Sequence, residues 1–260
     1  MKIAHVMRRL SFDDWGGTEQ VVWNLAKAQM RAGHEVRIFA TTALWRRRVE
    51  ANAPYQSTVG RAAYPYAAAF EIVDSIEILR FKPIYPWWPM PKRLIEELDR
   101  KGGNPFVPGL GKALREWKPD VIHCHAMARI AELCLRVGER GTGNGERGIK
   151  RVISLHGGAA NVPTAEAKSL KAPTRGRLPW GKMIDYVMGW TRRIPEDFDG
   201  IVCVGEDEAE RYRAKHPHVL YLPNGVDTSL FGAARNSKLE TRNTPLDFSA
   251  SRGLTGRRTR

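Results

Sequence analysis

The sequence predicts an α/β fold: a doubly wound, mostly parallel sheet of about seven strands with helices on both faces. Two observations carry that reading. Strand-like runs of about five residues alternate with segments of 3.6-residue apolar periodicity along most of the chain. The 260 residues are also 42% hydrophobic, enough to bury a sizeable core.

Taken in order, "KIAHVM" (2–7) is the first strand. An amphipathic helix follows from about Thr18 to Ala32, with Val22, Leu25, Ala26 and Met30 on one face. Gly33 ends it in the left-handed conformation that glycine adopts without steric penalty. "EVRIFA" (35–40) and "SIEILRF" (75–81) are the second and third strands. A helix from about Phe106 to Trp117 stops before Pro119, and "DVIHCH" (120–125) is the fourth strand. A helix over 127–140, a fifth strand at 150–156, a helix over 180–194, a sixth strand at 199–205, a helix over 206–215 and a seventh strand at 218–223 complete the pattern. No internal repeat is present.

Three segments break the alternation. Residues 43–73 are rich in Ala, Tyr and Arg. "KPIYPWWPMPKR" (82–93) holds four prolines and three aromatics, a composition that opposes a helix. Residues 157–180 form a long polar connection with several basic residues, and loops of this length in a compact domain are often functional. The glycine-rich 138–148 reads as a flexible connection. From Gly232 onward the chain is polar, basic and without apolar periodicity, and reads as disordered.

Composition narrows the function classes. No stretch reaches the roughly 18 apolar residues of a membrane span, and Arg8 and Arg9 follow a short strand-like run, unlike a secretory leader. Cys124, Cys134 and Cys203 are too few and too scattered for a disulfide framework or a zinc site, which suits a reducing, cytoplasmic setting. Net charge is +14; the last 29 residues carry seven Lys/Arg against Glu240 and Asp247, which leaves the first 231 residues at +9. A basic body of this kind fits nucleic acid, an anionic membrane surface or an anionic ligand such as a nucleotide diphosphate. No nucleic-acid recognition fold accompanies the basic tail.

The chemistry-bearing residues lie where strands end. Gly16, Gly17 and Thr18 stand between the first strand and the first helix. In an open α/β sheet, ligands bind at the carboxyl ends of the strands. Glycines there allow close backbone approach, and free N–H groups at the helix start suit a phosphate. The same residues also fit a plain turn in which Thr18 caps the helix. The pattern is neither Gly-x-Gly-x-x-Gly nor a Walker loop. His156, with Gly157 and Gly158 behind it, ends the fifth strand and could hydrogen-bond a sugar hydroxyl or a phosphate oxygen. His123 and His125 share one face by alternation while Cys124 points the other way. Two histidines are too few for a metal, so no metal site is predicted, and His125 is expected to line the crevice. Trp180, Met183, Ile184, Val187 and Trp190 with Arg192 and Arg193 form a basic amphipathic segment that fits core packing or contact with a membrane or lipid carrier. No Gly-x-Ser-x-Gly or catalytic cysteine constellation occurs.

"MKIAHVM", "GGTEQVVWNLAKAQMRAGHEV", "KPDVIHCH", "VISLHGG", "DGIVCVGEDEAERY" and "LPNGVDTSLF" follow one another in order over residues 1–231. The ordered set resembles the N-terminal domain of the family-four, group-one-like retaining glycosyltransferases, which have two Rossmann-like domains. Pro223-Asn224-Gly225-Val226-Asp227 with Phe231 is its most specific part, and in the family marks the passage between domains. The resemblance implies that 1–222 is the acceptor-side Rossmann-like domain, 223–231 an interdomain linker and 232–260 a tail. It implies that Gly16, Gly17 and Thr18 face the diphosphate of a nucleotide-sugar co-substrate. His156 would be catalytic, near the transferred sugar, and His125, Gly157 and Asn224 would contact substrate. No cofactor or metal is implied, because basic side chains and helix ends stabilise the leaving diphosphate.

The family's second domain, with two glutamates separated by seven residues, would need roughly 150 residues more after Phe231. The expectation is a chain truncated by frameshift or early stop and weakly active or inactive by itself. Reading the other two frames past the codon for Phe231 tests it. The implied partners are a nucleotide sugar and a glycan or lipid-linked acceptor, at the cytoplasmic face of a membrane or free of it. The alternative is a non-catalytic acceptor- or carrier-binding module that works with a separate donor-domain chain.

Overall fold

The computed structural model describes residues 1–13, 16–44, 57–60, 67–86, 90–101, 104–137, 148–156, 180–187 and 194–225. The chain divides into Met1–Asn224 and Gly225–Arg260. Only Gly225 of the second unit is among the described residues, so the linker expected beyond it and the tail lie outside them.

Nine strands and six helices are described: β1 (Lys2–Arg9), α1 (Gly17–Arg31), β2 (Glu35–Thr41), β3 (Ser57–Gly60), β4 (Ala69–Val73), β5 (Ile76–Phe81), α2 (Lys92–Lys101), α3 (Pro108–Trp117), β6 (Val121–Cys124), α4 (Arg129–Arg136), β7 (Lys150–Leu155), α5 (Trp180–Val187), β8 (Gly200–Cys203), α6 (Glu206–Arg213) and β9 (Val219–Tyr221). They form one sheet in the order β3-β4-β5-β2-β1-β6-β7-β8-β9. From β5 to β9 in that order every pair is parallel. β3 and β4 add antiparallel at one edge. The strands expected from sequence are the seven of the parallel run, and the fold is the predicted doubly wound α/β sheet.

The side-chain alternation of β1 divides the core between the two faces of the sheet. Ile3 and Met7 join a cluster with Val36, Ile38 and Ala40 of β2 and Val22, Trp23 and Ala26 of α1. Ala4 and Val6 point the other way, into a cluster with Ile122 and Cys124 of β6, Leu110, Ala113 and Leu114 of α3 and Ile130, Ala131 and Cys134 of α4. Each fully buried Val, Leu, Ile or Met among them contributes about 1.5–3 kcal/mol. All three cysteines are free and buried, and burial pushes the thiols of Cys134 and Cys203 up, the latter to about 11. They pack as small apolar groups and not as nucleophiles.

Local signals explain most boundaries. α1 ends as predicted at Gly33, whose φ is +81°. The Gly33 N–H donates to the Met30 carbonyl (2.9 Å) and the His34 N–H to the Gln29 carbonyl (3.1 Å), the paired bonds that close a glycine-terminated helix. α3 starts with Pro108 in its first turn and stops at Lys118, which has φ 52° and precedes Pro119.

Two expectations need correction. The 43–73 segment contains β3 and β4, where no strand is expected from sequence. β4 and β5 form a hairpin closed by Asp74 and Ser75, at φ 47° and 67°. Two consecutive positive-φ residues are the usual requirement of a two-residue hairpin, but Asp-Ser lacks the glycine by which such turns are recognised in sequence. The second correction is α2, whose first two residues, Lys92 and Arg93, fall inside the stretch expected to be non-helical. Pro91 delivers the chain into the helix, and Leu94 and Leu98 bury against Tyr85. The Tyr85 hydroxyl donates to Asp99 Oδ1 (2.6 Å), and Arg8 Nη1 donates to the Asp99 carbonyl (2.7 Å). Among the described residues no helix is long and apolar enough to cross a membrane.

Candidate functional site at the strand switch point

The strand order reverses between β1 and β6. β2 and β5 succeed β1 on one side; β6 to β9 run outward on the other. The chain leaving β1 enters α1 on one face and the chain leaving β6 enters α4 on the other. Ligands of open α/β sheets bind where connections diverge in this way. The residues at this point determine the site's chemistry.

On the β1 side the helix begins at Gly17, with Gly16 as its cap residue. Thr18 is one residue into the helix and no side chain caps this end. The plain-turn alternative, with Thr18 as cap, is therefore not what forms. Instead Glu19 reaches back: its Oε2 accepts from the Gly16 N–H (3.1 Å), and its Oε1 accepts from Arg9 Nε (2.7 Å). The two glycines differ in what the fold asks of them. A Cβ on Gly16 would stand 2.6 Å from Glu19 Oε2, whereas one on Gly17 would meet nothing within 4 Å among the described residues. Gly16→Ala is therefore expected to displace the Glu19 carboxylate and lower stability by about 1–2 kcal/mol. Gly17→Ala is expected to be neutral or stabilising by up to about 1 kcal/mol. Urea unfolding of both variants checks the difference; equal losses would contradict the Glu19 contact.

Behind the helix start lies a cluster of four histidines from three adjacent strands. His5 is on β1 and His123 on β6, in direct register. His125 follows β6, and its N–H bonds the Val6 carbonyl (2.7 Å). His156 follows β7. His5 Nδ1 lies 2.9 Å from His125 Nε2, and His125 Nδ1 lies 3.0 Å from His156 Nε2. At the inner end His5 Nε2 bonds Gln29 Oε1 of α1 (2.7 Å). His123 bonds Ser154 Oγ through Nε2 (2.6 Å), and its ring centroid is 4.1 Å from that of His125. Cys124 lies in the core cluster of the opposite face, as alternation requires.

Burial keeps these rings neutral. It holds His5 down at about 4, against the raising influence of the Gln29 hydrogen bond. Burial, then the neighbouring histidines, put His123 and His125 well below the usual imidazole value. His156 is lowered by burial, against a smaller raising influence of the Glu19 carboxylate. His5, His123 and His125 each bring a ring nitrogen within 4.8 Å of the others, a donor set that suits an ion such as Zn²⁺. Both nitrogens of His5 and both of His125 are already engaged with each other, Gln29 and His156, so an ion would have to replace those bonds.

A sequence model of Glycosyltransferase Family 4 matches residues 15–230. The chain belongs to Glycosyltransferase Family 4. No curated protein matches it. Among solved structures it is similar to sucrose-phosphate synthase from Thermosynechococcus elongatus, at 16% identity and a TM-score of 0.46, over 88% of this chain and 49% of that one. The chain thus spans about half the length of that structure.

In this member of the family the residues expected from sequence are brought together unevenly. Gly16, Gly17, Thr18, His125 and His156 gather at the switch point. His125 is almost fully buried behind His156, both its ring nitrogens taken. Asn224 is exposed after β9, at the end of the first unit. Gly157, the connection after it, and Trp190, Arg192 and Arg193 lie outside the described residues. Of the amphipathic segment, Met183 and Val187 on α5 are exposed, and Asp185 takes a bidentate pair from Arg129 of α4 (2.7 and 2.8 Å). Sequence reading missed His5, Gln29 and Glu19. Glu19 had a signal, an acidic residue three positions after the cap. His5 and Gln29 had none, because their roles depend on β1 lying beside β6.

Proposed function

We propose that this glycosyltransferase is retaining and nucleotide-sugar-dependent, and that Met1–Asn224 is its acceptor-side lobe. The observation that carries the reading is the open space over Gly17 among the described residues, at the start of the helix that follows the switch-point strand β1. The fold does not need a glycine there, and a diphosphate does: its oxygens can approach the free N–H groups of the first turn, aided by the helix's partial positive charge. As the glycosidic bond to the donor breaks, negative charge grows on the leaving diphosphate, and donors fixed in advance stabilise it without reorganisation. His156 then lies on the sugar side and His125 behind it. An acceptor glycan or lipid-linked acceptor enters from the same lobe.

Isothermal titration with nucleotide sugars, and transfer assays on the enzyme complete with its donor-binding half, test this. Gly17→Val is expected to lower turnover by about 100-fold or more by blocking diphosphate approach. His156→Ala is expected to lower it by about 10- to 100-fold with the fold retained. Unchanged transfer in both variants removes the assignment.

A further inference from the structure

Four groups form an unbroken line: Gln29 on α1, His5 on β1, His125 after β6 and His156 after β7. The line ends on His156 Nδ1, a buried atom without a hydrogen-bond partner among the described residues. A neutral imidazole has one N–H and one lone pair. In a line of neutral imidazoles each ring's proton position therefore dictates that of the next. The whole line has two possible polarities, and its anchor selects between them.

We propose that Gln29 is a positioning residue that sets, through His5 and His125, which nitrogen of His156 bears the proton. Gln29 Oε1 is the atom that meets His5. With the amide turned this way, which is the premise of the proposal, the oxygen only accepts, so His5 carries its proton on Nε2 and leaves Nδ1 as acceptor. His125 must then donate from Nε2 to His5 and accept at Nδ1. His156 donates from Nε2 to His125, and its Nδ1 is left as a bare lone pair. The backbone that carries the anchor is fixed: the Gln29 main-chain carbonyl accepts the His34 N–H (3.1 Å) in the bond pair that ends α1. Burial of His5 and His125 keeps a second proton off the line, since both imidazoles are lowered. His123 stands beside the line and not in it, bonded to Ser154.

This has a consequence for specificity. His156 Nδ1 is buried as it stands, and a ligand group that displaces its cover must donate to the lone pair, as a hydroxyl does and a phosphate oxygen, with no hydrogen to give, does not. The site thus separates into a phosphate half at the α1 start and a hydroxyl half at His156. That consequence rests on the transferase reading; the proton order does not.

The test is the side-chain ¹H–¹⁵N long-range spectrum of the ligand-free chain with ¹⁵N-labelled histidine, at neutral pH, with the His156 signals assigned by their loss in His156→Asn. The chain has seven histidines, so the spectrum is tractable. The expected result is an Nε2–H tautomer at His156, with Nδ1 in the shift range of an unprotonated nitrogen. Gln29→Glu, whose carboxylate also only accepts, should keep that tautomer. Gln29→Leu should release it, moving His156 Nδ1 and Nε2 toward averaged shifts while the far-ultraviolet spectrum is unchanged. A His156 protonated on Nδ1 in the native chain overturns the proposal, as does a tautomer unaltered in a folded Gln29→Leu. If Gln29→Leu does not fold, the native chain and Gln29→Glu still decide it. None of these measurements contains a nucleotide sugar, so failure of the relay is separate from failure of the transferase reading, which falls on the titration and transfer assays.

Discussion

Lowering the pH from 7 to 5 is expected to remove roughly 2 kcal/mol or more of folding stability. The folded value of His5 is held at about 4, against 6.5 in an unfolded chain. Between those values the unfolded state binds more protons than the native one, so stability rises with pH. His5's contribution is fully present above about 6.5 and is lost as pH falls toward 4: roughly 2 kcal/mol by pH 5 and about 3 kcal/mol in total. His123, His125 and His156 are shifted in the same direction, with Glu19 the one opposing charge, at His156. The rings are in contact, so the first proton to enter raises the penalty for the next. The Asp99 and Glu208 carboxyls, pushed up by burial, act in the opposite sense, and they are outnumbered. Against a total stability of about 5–15 kcal/mol the histidine effect is large. Urea unfolding at pH 7.5, 6 and 5 checks it. A midpoint that stays constant across that range is incompatible with a cluster of buried neutral imidazoles.

The parallel part of this fold was legible because each strand and helix announces itself locally. "KIAHVM", "EVRIFA" and "DVIHCH" read as strands unaided, and Gly33 and Pro119 mark stops whose mechanism is steric. The antiparallel edge was not legible, since Asp74-Ser75 adopts a backbone that glycine would have signalled and β3 lies in an Ala- and Arg-rich stretch. The site divides along the same line. The alternation of His123, Cys124 and His125 across the two faces is a property of one strand and could be read directly. That His5 faces His123 is a property of strand order. That Gln29 reaches His5 depends on where α1 crosses β1. Neither exists until the sheet is assembled. The difference between Gly16 and Gly17 was hidden for a related reason: two adjacent glycines look alike until Glu19 occupies the space over one of them.

Arg80→Met is expected to be among the most destabilising single substitutions in the chain. Arg80 on β5 is fully buried, with 0% of its side chain exposed, and Glu71 on β4 is 2% exposed. Arg80 Nε and Nη2 both donate to Glu71 Oε2 (3.2 and 2.9 Å), while Nη1 donates to the Leu10 carbonyl (2.6 Å). Removing the guanidinium leaves a carboxylate in the core without its cation and a main-chain carbonyl without that donor. Breaking a buried pair from one side typically costs about 3–5 kcal/mol, and the Leu10 carbonyl adds about 1 kcal/mol or more. For a unit of this size that corresponds to a fall of about 10 °C or more in melting temperature. Glu71→Leu alone should be similarly harmful, as it strands the arginine. The double variant Arg80→Met with Glu71→Leu should recover much of the loss, because two apolar groups in contact need no partner. A double-mutant cycle by urea unfolding reads the coupling directly. Additive losses would show that the pair acts through neither charge nor hydrogen bonding. The Leu10 bond extends the argument to the site, because Leu10 immediately follows β1, where the chain turns toward Gly16 and α1. Arg80 ties that departure point to the antiparallel edge. Its loss should loosen the glycine-bearing helix start as well as the sheet, which amide hydrogen exchange at Gly17 and Thr18 would register as faster exchange even where the variant remains folded.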